Sequence, residues 1–379
     1  MIPQPVGIRS LAVSFPSIRR TNDYYRENYP ELIEKAEQRS LAQLFSLSTS
    51  VPSNEFDQEM VPYLSDPFRG AVERRVLGPG ESSLTLEHHA AMDALEASKI
   101  PPNDIDFMLV SSMLPEQVLP GNAAFLANKL GLSCAALNLD SMCSSAIVAL
   151  QTASTLVRSG EYRNVLVVTS CTYSRFLDEK DTLSWISGDG AGAFVVSLLK
   201  ANQGILGSKI INTAATCGAF YTEVSNDILG NPQLFLRISK GANKVISNTA
   251  VDFLLTCCEG AAAAAVTLDQ IDFFVFNTPT AWFASFCMRV LGINPEQTIN
   301  LYTQYGNIGS MLPVANLYHA VQLGRIHEND LVLVYSIGAS ANATATVMRW
   351  GKVALGPDPS LKQPHSSVIC AGDKVPVIC

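Results

Sequence analysis

Leu137-Asn138-Leu139-Asp140-Ser141-Met142-Cys143-Ser144-Ser145-Ala146 is the stretch on which the reading of this chain turns. A short apolar strand leads into it and a helix leads out, with small and apolar residues recurring at Ala146, Ala149, Leu150, Ala153 and Val157, the stripe of a helix packed on a core. Ser159-Gly160 stop that helix, and Asn164 to Val168 reads as a buried strand. Cys143 therefore stands where strand becomes helix, beside free backbone N–H groups and the positive end of the helix dipole. That placement predicts a lowered thiol pKa and a nucleophile; the alternative reading is a small cysteine filling a core.

Working outward, the chain repeats itself. Asn103 to Val110 (N-D-I-D-F-M-L-V) is matched by Asp269 to Phe276 (D-Q-I-D-F-F-V-F). Each strand is followed by a helix ending in a similar tripeptide, Leu130-Gly131-Leu132 or Leu291-Gly292-Ile293, and then by Leu137-Asn138-Leu139 or Ile299-Asn300-Leu301. Cys143 follows in the first copy and Tyr305-Gly306-Asn307 in the second. Both copies then run through an Ala/Leu-rich helix, a small break and an apolar strand, Val165–Val168 or Leu331–Tyr335. Two βαβαβ halves from a duplication account for this order, with crossovers long enough for parallel strands. If the halves pack about a pseudo-twofold axis, Cys143 and Asn307 face each other across it.

Outside the repeat, Gly7–Phe15 reads as a first strand and Leu84–Ser98 as a helix whose adjacent His88 and His89 point to different faces. The segment 22–65, with a helical pattern near Glu31–Phe45, reads as an insertion or cap. Gly188-Asp189-Gly190-Ala191-Gly192-Ala193 precedes an apolar strand instead of opening a helix, so it is read as close backbone packing and not as a phosphate cradle. Residues 201–235 read as a variable link, 238–265 as one long helical stretch, and the polar, Pro-containing segment after Trp350 as a surface tail. The division expected is 1–200, 201–352 and a tail 353–379.

Bulk properties bound the function. The 379 residues are 47% hydrophobic and 16% charged, enough for a large core. A net charge of −8 argues against nucleic acid as a partner, and no apolar run approaches the roughly 20 residues that span a bilayer. The N-terminus lacks a signal-peptide pattern, which makes the cytoplasm the expected location and a membrane partner unexpected. Nine irregularly spaced cysteines without a CxxC predict free thiols and no structural metal. No cofactor is called for.

With the repeat in view, the chain resembles the β-ketoacyl-acyl-carrier-protein synthase III family of the thiolase fold, most clearly from Leu84 to Trp350. The resemblance is carried by the Cys143 turn, Arg158-Ser159-Gly160-Glu161-Tyr162, Gly188 to Ala193, Tyr305-Gly306-Asn307 and Gly338-Ala339-Ser340, with Arg20-Thr21-Asn22 also fitting. It implies an α/β, thiolase-like αβαβα five-layer fold, a homodimer, and a Cys nucleophile that takes an acyl group from a thioester. It also implies an oxyanion hole from the N–H groups of Cys143 and Ala339. Three departures follow. Asn277, in Phe276-Asn277-Thr278-Pro279-Thr280, occupies the place of the family's catalytic His, and none of the five histidines falls there. The final glycine triplet reads Gly338-Ala339-Ser340. The arginine that clamps coenzyme A is missing, with Asp181-Thr182 near its place and Arg175 elsewhere.

An amide at position 277 cannot exchange a proton, so general acid–base work there, typically worth about 10²–10⁴-fold, is lost. The reading is an acyltransferase of specialised, polyketide-type metabolism. It loads Cys143 from a thioester, carried by an acyl-carrier protein rather than coenzyme A, with Asn277 and Asn307 beside it. Arg69, Arg74 and Arg75 form a basic cluster for carrier docking, and Leu119 falls where the family places a dimer-mate residue that limits the acyl pocket, its small, non-aromatic side chain permitting more than an acetyl group. Two alternatives stay open: a C–C condensing enzyme, including one that also forms C–O bonds to make a tetronate-type ring, or an inactive partner subunit of a heterodimer.

Overall fold

The computed structural model describes residues 4–47, 54–226, 230 and 232–360. The first sheet has six strands, in the order Ala354–Leu355, Val6–Ser14, Asp189–Leu198, Asn164–Thr172, Phe107–Met113 and Ala135–Asn138. The second has four, in the order Phe273–Phe276, Leu331–Ile337, Asn342–Arg349 and Gly204–Asn212. In each sheet the duplicated strands pair in parallel, Phe107–Met113 with Asn164–Thr172 and Phe273–Phe276 with Leu331–Ile337, and the next strand returns antiparallel.

Between the sheets lie the helices Ser145–Arg158 and Leu312–Gln322. Ala149, Leu150 and Ala153 of the first and Val314, Ala315 and Leu317 of the second join the inner faces of both sheets in one core. Helices Ser83–Ser98 and Asn122–Leu130 cover the outer face of the first sheet, where Ala90, Ala94 and Leu126 meet Val110 and Val168. The helices after Gly241 and Phe283–Leu291 cover the second, where Phe253 and Phe286 meet Phe274 and Phe276. The layers thus run helix, sheet, helix, sheet, helix.

The repeated sequence signals have repeated structural causes. Gly131 and Gly292 end equivalent helices with φ of 67° each, a left-handed turn that costs glycine nothing. Asn138 donates to the Pro120 carbonyl at 2.9 Å, and Asn300 donates to the Ala281 carbonyl at 2.8 Å, each tying down the loop before its helix. The glycine run is indeed close packing. A Cβ on Gly188 would lie 2.3 Å from the Tyr305 carbonyl oxygen, and one on Gly192 would lie 2.6 Å from Val314 of the central helix. Asp189, Gly190 and the residues after them are already strand, so the strand begins earlier than the apolar run.

Several expectations are corrected. Residues 201–235 are not merely a link, since Gly204–Asn212 is an edge strand of the second sheet and Phe220–Asn226 pairs with Pro232–Ile238 as a hairpin. The edge strand mixes buried, half-buried and exposed positions and Phe220–Asn226 is mostly exposed, so no apolar run marked them. The long helical stretch is two helices, Ala242–Leu254 and Thr256–Ala263, that meet at Leu255. Ala354–Leu355 joins the first sheet, and the Tyr318 hydroxyl donates to the carbonyls of Gly356 and Pro357, so the start of the tail is packed; 361–379 lie outside the described residues. Within 22–65, helices cover Asn22–Asn28, Pro30–Leu47 and Glu55–Met60, and 48–53 lie outside the described residues. His88 and His89 are both half-buried, their rings 6.0 Å apart, instead of one packed and one solvated.

Candidate active site

Ser141 to Ser145 form a knot of hydrogen bonds that presents Cys143. The Ser141 N–H donates to the Ser145 hydroxyl at 2.7 Å, the Ser144 hydroxyl donates to the Ser141 carbonyl at 2.6 Å, and Asp140 accepts from the Met142 N–H at 3.0 Å. Met142 takes a φ of 52°, which a β-carbon disfavours, and this sharp turn pushes the next side chain outward. The second sheet braces the knot: the Ser336 hydroxyl donates to the Cys143 carbonyl at 2.9 Å, and the Asn342 amide donates to the Ser141 hydroxyl at 2.7 Å. Gly338 is required by contact, because a Cβ there would lie 2.4 Å from the Ser141 carbonyl oxygen.

Cys143, Asn277, Asn307 and Ala339 all line one cavity of about 720 Å³. Asn307 is held by its backbone, its N–H donating to the Ile186 carbonyl at 2.7 Å. Its side-chain oxygen accepts from the Gly309 N–H at 2.9 Å, which leaves the amide N–H₂ as the end available to a ligand. Asn277, fully buried just past the strand Phe273–Phe276, donates one amide N–H to the Gly309 carbonyl at 3.2 Å, and its oxygen has no partner among the described residues. Gly338 and Ser340 spend their N–H groups on Asn342 and Thr216. No such bond is found for the Ala339 N–H among the described residues, which keeps it available as an oxyanion donor. None of the histidines among the described residues lines the cavity; His319 instead bonds the Tyr305 hydroxyl at 3.0 Å.

The thiol departs from the expectation. Burial pushes Cys143 up to about 11, with Asp140 adding to the rise, so desolvation outweighs the helix start. The larger of the two opposing influences is the Tyr173 hydroxyl, 4.0 Å from Sγ, and the other is the backbone N–H of Cys143 itself. Sequence reading missed Tyr173, because it ends a strand distant in the chain and no local pattern points it at Cys143.

The remaining candidates divide. Arg74 is corrected: it is fully buried, donates to Asn22 at 2.9 Å and to the Trp185 carbonyl, and lies over the Tyr25 and Phe68 rings, so it is spent inside the protein and offers no surface charge for docking. Burial lowers its pKa. Arg75, next along the same strand and thus on its other face, is half-buried and reaches the Pro16 carbonyl. Arg69 lines the cavity with its guanidinium spent on the Tyr63 and Leu64 carbonyls. The three are therefore not one surface cluster. Leu119 is 85% exposed and does not line its own chain's cavity. Asp181 caps the helix Thr182–Ile186, and Lys180, Arg237, Lys35 and Arg39 supply the cations lining the cavity where an arginine was missing. Lys35 and Arg39 share the helix Pro30–Leu47, Lys180 precedes the helix Thr182–Ile186 and Arg237 lies on the strand Pro232–Ile238, so no single run of sequence announced the four together.

No helix among the described residues is long and apolar enough to cross a membrane, and no cluster of three metal-ligating side chains occurs among them.

Comparison with known proteins agrees with this geometry. The family model for 3-oxoacyl-[acyl-carrier-protein] synthase III matches residues 137–214, its C-terminal model matches 261–350, and the thiolase N-terminal domain model matches 79–175. The β-ketoacyl-[acyl-carrier-protein] synthase III of Gloeobacter violaceus is 31% identical over 296 residues, covering 75% of this chain and 88% of that protein. The Agrobacterium fabrum enzyme of the same name is 29% identical over 290 residues, with 74% and 88% covered. Among solved structures, the Thermus thermophilus synthase III superposes with a TM-score of 0.73 at 24% identity, covering 91% of this chain and 99% of its own. The priming β-ketosynthase of the R1128 polyketide pathway gives 0.76 at 20%, covering 93% and 98%. Xanthomonas campestris OleA, solved with bound lauric acid and lauroyl-CoA, gives 0.72 at 17%, covering 92% and 100%. At these identities the superpositions establish the fold, which is thiolase-like. Taken with the match to the Gloeobacter violaceus protein across most of both lengths, they place the result plainly: the chain belongs to the β-ketoacyl-acyl-carrier-protein synthase III family.

Proposed function

We propose that the protein takes an acyl group from a carrier-protein thioester onto Cys143 and hands it to an acceptor, in the manner of a specialised-metabolite acyltransferase. The observation that carries this reading is the convergence of Cys143, Asn307 and the Ala339 N–H on one cavity whose walls include Phe253, Trp282, Phe283 and Leu236. An apolar wall suits an acyl chain, and preorganised donors beside the sulphur suit a tetrahedral oxyanion. Asn277 supports transfer over decarboxylative condensation. An amide does not shuttle protons, and one of its two N–H groups is already spent on Gly309. Lys180 and Arg237 support a donor whose pantetheine arm carries phosphate. The reading treats 1–200 and 201–352 as the two halves and 353–379 as a tail, places the protein in the cytoplasm as a homodimer, and puts a partner's Leu119 position at the acyl pocket.

Intact-protein mass spectrometry after incubation with acyl-carrier-protein thioesters tests it. The expected result is one acyl mass on the Cys143 peptide, absent from Cys143→Ala. Labelling at Cys134 or Cys171 instead would sink the assignment, and no labelling by any thioester would favour an inactive partner subunit. Loading from acyl-coenzyme A with none from the carrier would correct the donor. Product analysis then separates acyl transfer from C–C or tetronate-type condensation.

A further inference from the structure

No imidazole lines the cavity among the described residues, yet loading and discharging a thiol both require a proton to move. Tyr173 follows the strand Asn164–Thr172 and is 5% exposed, and it lines the same cavity as Cys143. Its hydroxyl stands 4.0 Å from Cys143 Sγ, with the buried Cys171 thiol beside it. Leu177 and Met113 pack around this trio. The other titratable side chains that line the cavity are Lys35, Arg39, Arg69, Lys180, Asp181 and Arg237. Three of these are committed: Asp181 caps the helix Thr182–Ile186, Arg69 binds backbone carbonyls and Arg237 pairs with Glu223 at 3.2 Å. The charged group bearing most directly on Cys143 is Asp140, which accepts from the Met142 N–H.

We infer that Tyr173 is a catalytic residue: its hydroxyl hydrogen-bonds the Cys143 sulphur and relays the proton exchanged when Cys143 is acylated and discharged. This deepens the reading of Cys143 as the loaded residue and rests on it. During loading, Cys143 Sγ forms a bond to the thioester carbonyl carbon and the bond from that carbon to the donor sulphur breaks. The Cys143 proton passes to the Tyr173 oxygen while the Tyr173 proton passes to the departing sulphur. Nothing is oxidised or reduced, and the tyrosine ends as it began. During discharge, the acceptor's proton goes to the Tyr173 oxygen and the Tyr173 proton returns to Cys143. Burial raises the phenol well above its ordinary range, which keeps it protonated and a donor at neutral pH. A tyrosine held this way serves as hydrogen-bond donor first and proton carrier second, which suits a thiol pushed up to about 11.

The test compares the full-length protein with Tyr173→Phe in two assays. Iodoacetamide alkylation of the Cys143 peptide is followed against pH. Loss of a hydrogen bond to the thiolate is expected to raise its midpoint by about one pH unit. Acyl loading from a carrier-protein thioester, followed by mass, is expected to slow about 10²-fold or more. Tyr173→His, which returns a proton-carrying ring, is expected to recover part of the rate with a new limb near pH 6.5. A folded Tyr173→Phe protein with an unmoved alkylation midpoint overturns the proposal even if loading slows, since a packing role alone would slow it. If Tyr173→Phe does not fold, the histidine variant decides: a wild-type pH profile overturns the proposal and an imidazole limb supports it. A wild-type protein that never loads would fail the acyltransferase reading itself, whatever the alkylation profiles show.

Discussion

Asn277 narrows the chemistry of this site more than any other side chain. In the proposed reading it stands where the family's base is expected; it is fully buried, with one N–H turned to Gly309 and an oxygen that has no partner among the described residues. Enolate formation after carbon dioxide loss needs donors at a developing negative oxygen, and an unpaired amide oxygen works against that. With malonyl-carrier protein as the only substrate, carbon dioxide release is therefore expected to be slow, and Asn277→His is expected to raise it about 10²-fold while leaving Cys143 loading intact. Rapid malonyl decarboxylation by the unmodified protein would show that two asparagines suffice. Arg74 supports a second expectation. Arg74→Ala removes a buried cation from Asn22, the Trp185 carbonyl and two aromatic faces, at a cost of about 2–4 kcal/mol. Thermal unfolding should drop clearly, while carrier-protein affinity per folded molecule holds. Cys143 was legible in the sequence because it sits on a local strand–turn–helix pattern, and Asn307 because the repeat sets Tyr305-Gly306-Asn307 opposite the Cys143 turn. The burial of Arg74 and the approach of Tyr173 were not, because neither is set by neighbours in the chain.

At the scale of elements, the helix Ser83–Ser98 carries a buried carboxyl on its inner face. Glu87 accepts from Ser112 at 2.6 Å, Ser170 at 2.5 Å and Asn122 at 2.8 Å, joining the helix to two strands and to the helix Asn122–Leu130. Burial pushes its pKa up to about 7 and that of Asp189 up to about 6, hydrogen bonds notwithstanding. A carboxyl raised in the fold binds its proton more tightly there than in the unfolded chain. The stability it contributes is complete below the unfolded pKa and is lost as pH rises through the folded one. The melting temperature is thus expected to fall between pH 5 and pH 8, and Glu87→Gln, whose oxygen can still accept from Ser112 and Ser170 but which carries no charge, should flatten that slope. A Glu87→Gln protein with the wild-type pH dependence would assign the slope elsewhere. Helices were the elements most legible in sequence, since Ser82 and Thr85 cap this one and glycines end its neighbours. The edge strand Gly204–Asn212 escaped notice because its buried, half-buried and exposed positions follow no period, so its pattern is neither an apolar run nor a clean alternation. The duplication itself pointed to it, as the counterpart of Val6–Ser14.

For the whole molecule, the duplication places the ends of two central helices at one cavity, so each half supplies what the other lacks: a sulphur from the first, an amide donor from the second. The same architecture says where a second copy would join. The apolar strand Asn164–Thr172 is not free to pair with another copy, because it lies inside the sheet, flanked by Phe107–Met113 and Asp189–Leu198. Its apolar character reflects burial on both faces. The edge is Ala135–Asn138, which pairs only with Phe107–Met113 among the described residues and leaves Leu137 54% exposed. Val118 and Leu119 are exposed in the same region of chain, before the helix that Asn138 anchors. An unpaired strand edge with apolar neighbours is a template for another copy of itself, and antiparallel pairing about a twofold axis makes the sheet continuous. Light scattering at micromolar concentration should therefore give twice the 40.8 kDa chain mass. Leu137→Arg, which puts a charge on that edge, should shift the mass towards one chain. If the partner copy's Leu119 position limits the acyl pocket, the monomeric variant should also lose its discrimination between short and long acyl groups. A wild-type protein that scatters as a monomer would remove both the edge pairing and the shared pocket.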